Sequence, residues 1–140
     1  IYGTWCVLTG LSAIGFDMND ERVKKSVDWL KSVQNVDGGF GESPESYTQK
    51  KYVPWRESVP SQTAWGLMGL IAAGESNNSV TKKAAKFLVD SRNENDSWDE
   101  THCTGTGFPG HFYIRYHGYR HYFPLLALAR YFKFGAGFEF

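Results

Sequence analysis

The chain is poor in cysteine. It has two, Cys6 and Cys103, and they stand far apart. No metal-type or redox-type spacing can be built from them, and a reducing compartment is expected. Neither sign of charge is in excess: 15 Lys and Arg meet 15 Asp and Glu, so the formal net charge is zero. Net charge therefore supplies no attraction for nucleic acid, and none is expected as a partner. No apolar run approaches the ~20 residues that a membrane-spanning helix needs. No stretch reads as a secretory leader. The chain opens on Ile1 rather than Met. We expect a piece of a longer protein, with a core that these residues leave incomplete.

Aromatic residues are what the chain has in plenty: five Trp, eight Tyr and ten Phe among 140 residues. They concentrate in residues 104–123, where seven of twenty are Phe or Tyr and four are Gly. Glycine permits close backbone approach, and Gly and Pro interrupt regular structure. A shaped, irregular segment that presents rings is expected. Phe112, Ile114 and Tyr116 alternate as on a strand, while Phe112, Tyr116 and Tyr119 recur as on a helix. Either period puts Phe112 and Tyr116 on one side. Such rings either fill a core or offer their faces to a positive charge, at roughly 0.5–2 kcal/mol per ring.

Elsewhere the pattern is helical. Residues 4–14 place Trp5, Leu8 and Leu11 on one face, and Gly15 is a stop signal. Asp17 or Asn19 is expected to cap a second helix over 20–33, with Val23, Val27, Trp29, Leu30 and Val33 inward and Lys24, Lys25, Asp28 and Lys31 in water. Residues 35–61, with Asp37-Gly38-Gly39, Pro44, Pro54 and Pro60, read as one long connection. Helices over 63–73 and 80–90 follow, the first apolar, the second bearing Lys82 and Lys83. Pro124 is expected to open a last apolar helix to about 132. Residues 135–140 show no period and are expected to be a loose or non-native tail, after a folded unit of 1–134.

The chain repeats itself. At a shift of 58, Lys24, Lys25, Leu30, Phe40 and Glu42 fall on Lys82, Lys83, Leu88, Trp98 and Glu100. At a shift of 59, Thr4, Leu8, Leu11 and Gly15 fall on Thr63, Leu67, Leu70 and Gly74. The unit is an apolar helix, an amphipathic helix, then a turn with an aromatic and a Glu. Alternating buried and half-exposed helices imply two concentric layers. The expected fold is all-α, about five helices with long loops, forming a section of an (α/α)6 barrel.

The run Gln34 to Glu42, with Gly38 and Phe40, resembles the QW motif of triterpene cyclases, Phe40 standing at the Trp position. In the second copy Trp98 keeps the aromatic, while Arg92 and Asp96 replace Gln and Gly. Ser61-Gln62-Thr63-Ala64-Trp65, Trp98-Asp99-Glu100, Thr104-Gly-Thr-Gly-Phe-Pro-Gly110 and Tyr119-Arg120-His121-Tyr122-Phe123-Pro124 stand in the order and spacing of the C-terminal end of bacterial squalene–hopene cyclases. The run from Phe112 to Tyr122 is most similar to Bacillus-type tetraprenyl-β-curcumene or sporulenol cyclases. The resemblance spans nearly all of 1–132. It implies a cofactor-free intramolecular cyclase (an isomerase). An Asp of an Asp-x-Asp-Asp motif protonates squalene or a related polyprene in an apolar cavity, and aromatic faces stabilise the carbocations. It places Phe108, Phe112, Tyr116 and Tyr119, with apolar Ile114, on the cavity wall. It gives Gln34, Gly38, Phe40, Glu42, Trp98 and Glu100 a structural role, the Glu residues accepting bonds from helix N-termini. It also implies a cytoplasmic enzyme resting on a membrane surface, with the rest of the cyclase chain as partner.

Two departures stand out. Asp17-Met-Asn-Asp20 has Asn19 at the central acid and lies at a helix start, where Asp and Asn cap. The general acid is therefore absent, and the isolated chain is expected to be inactive. His111 stands where hopene cyclases commonly carry Asp. His102, His111, His117 and His121 near Cys103 and Asp99 raise a zinc site, as in toroidal prenyltransferases, but the tight Asp-x-Cys spacing is missing, and no metal is expected. The alternative reading is a non-catalytic helical-toroid interaction module. Exposed inner faces would make the isolated chain self-associate.

Overall fold

The computed structural model describes residues 1–108 and 111–134. The tail 135–140 and the residues Pro109 and Gly110 lie outside them. The described residues form six helices and one hairpin: α1 (Tyr2–Ala13), α2 (Glu21–Ser32), α3 (Glu45–Gln49), α4 (Pro60–Ala72), α5 (Ser79–Asp90), β1 (Gly105–Phe108), β2 (Phe112–Ile114) and α6 (Tyr119–Phe134). The fold is all-α apart from that antiparallel pair.

Helix α4 is the hub. Its sequence is apolar on every side, and every residue from Pro60 to Leu70 is buried. Proline at its first position costs nothing, because that N–H has no helical partner. α1 and α6 pack along its two flanks, α2 and α5 also touch it, and α5 reaches α6. The inner layer is α1, α4, α6 and the outer layer is α2, α5. The lysines expected in water, Lys24, Lys25, Lys82 and Lys83, are all exposed. Trp65, Leu67, Met68 and Leu70 of α4 join Leu8, Val27, Leu30, Leu88 and Ala127 in one core. Each large apolar side chain so buried contributes roughly 1.5–3 kcal/mol. Loss of α4 would dissolve the layering.

The repeat holds in the backbone of the helix ends and turns. Gly15 and Gly74 both take positive φ, +72° and +81°, just past α1 and α4. Their helices close alike: Phe16 N donates to Leu11 O and Glu75 N to Leu70 O, both at 3.0 Å. Only glycine takes that backbone at no steric cost. In the first turn Asn35 N donates to Gly39 O and Gly38 N to Asn35 O; in the second, Asn93 N donates to Ser97 O and Asp96 N to Asn93 O. Gly38 and Asp96 share a left-handed backbone, φ +91° and +55°. Aspartate tolerates that region better than most residues.

The expected boundaries are corrected at four places. Asp20, not Asp17 or Asn19, caps α2, its Oδ1 accepting from Arg22 N at 2.8 Å. The equivalent cap on α5 is Asn78, which accepts from Thr81 N. The long connection contains the short helix α3, hidden among its prolines. The aromatic segment is partly regular, since β1 and β2 pair with Gly105 opposite Ile114 and Phe108 opposite Phe112. Finally, α6 starts at Tyr119 and Pro124 lies inside it. Pro124 removes one donor, the one that would have met Arg120 O. The helix instead begins on the bonds from Tyr119 N to Tyr116 O and from His121 N and Tyr122 N to Gly118 O.

Candidate functional site

The QW-like residues lie in the two turns and at the helix ends they adjoin. Gln34 Nε2 donates to Gly38 O and to Val80 O, both at 2.8 Å, tying the first turn to α5. Phe40 is fully buried, and its backbone N donates to Thr63 Oγ1 of α4. Trp98 is buried, and its Nε1 donates to Leu88 O at 2.8 Å, at the end of α5. Phe40 lacks that indole donor.

The two glutamates sit at the starts of inner helices. Glu42 Oε2 accepts from the Ile1 amino nitrogen at 2.6 Å, before α1. Glu100 accepts from Ser61 N and Ser61 Oγ, both at 3.0 Å, in the first turn of α4. A carboxylate there meets unpaired N–H groups and the positive end of the helix dipole. Burial nevertheless pushes the Glu100 carboxyl up, against the pull of the two Ser61 bonds, Arg120 and His102. Tyr52 braces the first turn through a bond from its hydroxyl to Gly41 O, and burial together with the Glu42 charge pushes its phenol up to about 12.

The aromatic residues form a run of touching rings across the inner layer. Tyr2 and Trp5 of α1 meet Trp65 of α4, Trp5 and Trp65 lying nearly parallel at 6.2 Å. Trp65 meets Tyr119 edge-on at 5.8 Å and Phe123 at 5.4 Å, both on α6. Tyr119 stacks on Tyr116 at 4.7 Å and touches Tyr122 and Phe123. The hairpin carries a second set, Phe108 and Phe112, whose rings meet edge to face at 5.7 Å. Tyr116 fits because residue 105 is glycine: a Cβ there would fall 2.7 Å from its ring.

Of the five residues expected on a cavity wall, Tyr119 belongs to the inner-layer run and Tyr116 extends it. Phe108 and Phe112 form the hairpin pair, and Ile114 is half-buried at the end of β2. Phe108, Phe112 and Tyr116 remain 64%, 48% and 41% exposed. They are not spent on this chain's own core. Tyr2, Trp5, Trp65 and Phe123 were not singled out by sequence reasoning. Trp5 and Trp65 read as apolar residues of their helices, and Trp65 also as part of a motif. The signal that would have found them is the repeat itself, which sets inner helices side by side. The indole N–H groups of Trp5 and Trp65 are buried without a hydrogen-bond partner among the described residues. A cleft of about 290 Å³ opens beside Tyr2 and Trp65, bounded by Glu42, Tyr47, Lys51 and Thr104.

The run of rings itself carries no charged side chain. The Tyr119 phenol is pushed up by burial and by its neighbours Tyr122, Tyr2 and Tyr116, so it stays neutral. No group of three His, Cys, Asp or Glu side chains that could hold a metal occurs among the described residues. His102 is engaged by Glu57 at 2.9 Å and lies on the Trp55 ring, and His121 meets Ser97 at 2.6 Å. His111 is exposed, and its backbone N donates to Phe108 O. Asp20 is the cap of α2, bonded to Arg22 N, and Asp17 accepts from Asn19 N in the turn before it. Among the described residues no helix is long and apolar enough to cross a membrane.

The family model of the squalene-hopene cyclase C-terminal domain matches residues 1–133. A probable squalene–hopene cyclase of Sinorhizobium fredii is 49% identical over 94% of this chain and 20% of its own length. The squalene–hopene cyclase of Bradyrhizobium diazoefficiens is 48% identical over the same shares. The sporulenol synthase of Bacillus subtilis is 42% identical over 94% of this chain and 21% of its own. The chain thus spans about a fifth of the length of these relatives.

Proposed function

The chain belongs to the squalene-hopene cyclase C-terminal domain family, and we propose that residues 1–134 form one wall of the apolar cavity in which a full-length cyclase folds and closes a polyprene. The substrate is squalene or a related polyprenoid. The observation that carries this reading is the run of rings from Tyr2 through Trp65 to Tyr119 and Tyr116, with the exposed Phe108 and Phe112 beside it. A cascade of carbocations needs stabilisation without a nucleophile. Ring faces supply it, at roughly 0.5–2 kcal/mol each. A wall of rings also excludes water, which would quench the cation.

In this reading the chain's part is stabilisation and shape. It carries no Asp-x-Asp-Asp, so the proton that starts the reaction comes from elsewhere in the full-length protein, and residues 1–134 alone turn nothing over. The remainder of the cyclase chain covers the exposed inner faces. The substrate reaches the cavity from a membrane on whose cytoplasmic surface the enzyme rests; made alone, the piece self-associates through those faces.

The test is Phe112→Ala in a full-length cyclase carrying this segment, incubated with squalene and read by gas chromatography with mass spectrometry. Early-terminated, partly cyclised products are expected. An unchanged product profile would refute the assignment.

A further inference from the structure

The turn at 97–100 is bonded to two inner helices at once. On one side Glu100 holds the start of α4 through Ser61 N and Oγ. On the other, Ser97 Oγ meets His121 Nδ1 at 2.6 Å, and Arg120 Nη1 donates to Asp99 Oδ1 at 3.4 Å, both in the first turn of α6. Arg120 Nε also donates to His121 Nε2 at 3.3 Å. Since Nε2 accepts, the proton of a neutral His121 sits on Nδ1 and is donated to Ser97. Between these anchors stands Trp98, buried and bonded to Leu88 O.

The other copy of the turn is built differently. Gly39 and Gly41 stand where the second copy has Ser97 and Asp99, at the shift of 58. A Cβ on Gly39 would run into Ser58, and one on Gly41 would come within 2.5 Å of Glu57 O. In the first unit the loop 55–58 lies on the turn and leaves no room for side chains. The second unit has Ser97 and Asp99 there, and both reach α6.

The two helices so held carry the rings that meet across the inner layer, Trp65 on α4 and Tyr119 on α6. Arg120 and His121 directly follow Tyr119. We infer that the 97–100 turn is a spacer between α4 and α6, and that Ser97, Asp99, Arg120 and His121 are positioning residues that hold the Tyr119 ring against Trp65 and so set how far the cyclisation runs. This rests on the cavity reading above.

The bonds to α6 are largely solvent-exposed, and such contacts add little to stability. Their effect is on geometry. The experiment compares three variants of a full-length cyclase carrying this segment: Ser97→Ala with Asp99→Ala, Tyr119→Ala, and all three changes together. Product distribution, kcat, KM and Tm are read for each. The double variant should keep Tm within about 2 °C, raise the share of incompletely cyclised product about fivefold, and lower kcat with KM unchanged. In the Tyr119→Ala background it should change nothing further, since it acts through that ring. Ser97→Thr with Asp99→Glu should restore the parent profile. A parent-like profile in the double variant, with an altered one in Tyr119→Ala, overturns the spacer role and leaves the cavity reading standing. Full additivity of the two sets overturns it too, as does a Tm loss that tracks the product change. An unaltered profile in Tyr119→Ala overturns the cavity reading and the spacer role together.

Discussion

Two glycines one turn apart on α4 should respond oppositely to the same substitution. Gly66 and Gly69 are both buried in the middle of the hub helix. Alanine is favoured over glycine in a helix by ~1 kcal/mol at either position. What differs is the space. A Cβ at Gly66 would lie 2.8 Å from both Cδ2 and Cε2 of Phe40 and 3.1 Å from its Cγ. Carbon atoms prefer about 3.5–4.0 Å. The ring cannot retreat, because Phe40 is fully buried and its backbone is tied to Thr63. Overpacking of this kind costs about 1–3 kcal/mol, and three ring atoms in conflict put it at the upper end. Gly66→Ala should therefore lose about 1–2 kcal/mol net after the helix gain. At Gly69 the nearest atoms are Leu30 Cδ1 and Trp5 Cα at 3.4 Å and Leu8 Cδ1 at 3.6 Å, ordinary contacts. There the helix term wins, and Gly69→Ala should gain up to ~1 kcal/mol. Thermal unfolding of both variants, followed by circular dichroism in a full-length cyclase carrying the segment, gives the order. Gly66→Ala melting at or above Gly69→Ala would refute the claim that Phe40 closes on α4 at Gly66.

Trp98→Phe should cost about 1–3 kcal/mol in denaturant unfolding, since it strips Leu88 O of its indole donor inside a buried site; a variant as stable as the parent would show that the bond is replaceable. The pH dependence follows from Glu100. Its native pKa is raised, chiefly by burial, so its contribution to stability is full below the unfolded value near 4.5 and is lost as pH rises through the raised native one. Glu100→Gln should flatten that decline, as read from urea midpoints across a pH series; an unchanged slope would refute the assignment of the decline to this group.

Much of the fold was legible because burial and sequence period coincide. Val23, Val27 and Leu30 are buried at helical spacing while Lys24, Lys25 and Asp28 are exposed, so α2 could be read directly. Gly15 and Gly74 marked helix ends because a left-handed residue is needed there. The start of α6 was misplaced because Pro124 looks like a first position, whereas the helix begins on Tyr116 and Gly118 carbonyls and tolerates one missing donor. The hairpin was undecided because a short aromatic run satisfies both periods. The candidate site was half legible. A local stretch can reveal Tyr116 and Tyr119, but the contact of Trp65 with Tyr119 joins residues 54 positions apart. Nothing local encodes it.

The distribution of exposed apolar side chains argues for the same reading of the layers. Tyr2, Val7 and Ile14 project at α1, Phe108, Phe112 and Tyr113 on the hairpin, and Tyr122, Leu125, Leu126, Phe132 and Phe134 on α6. Helices α2 and α5 expose no large apolar residue; they show lysine and aspartate instead. A fold that merely ran short of polar surface would scatter its apolar exposure over both layers. Here most of it lies on the inner layer and the hairpin, with Val36 after α2 and Tyr47 of α3 exposed outside them. Contiguous apolar exposure marks surface meant for another body. With α2 and α5 showing charge to water, this distribution supports the proposal that the covering body lies on the inner side, where the rings are. A substrate without polar groups and further helices of the same toroid both suit that surface.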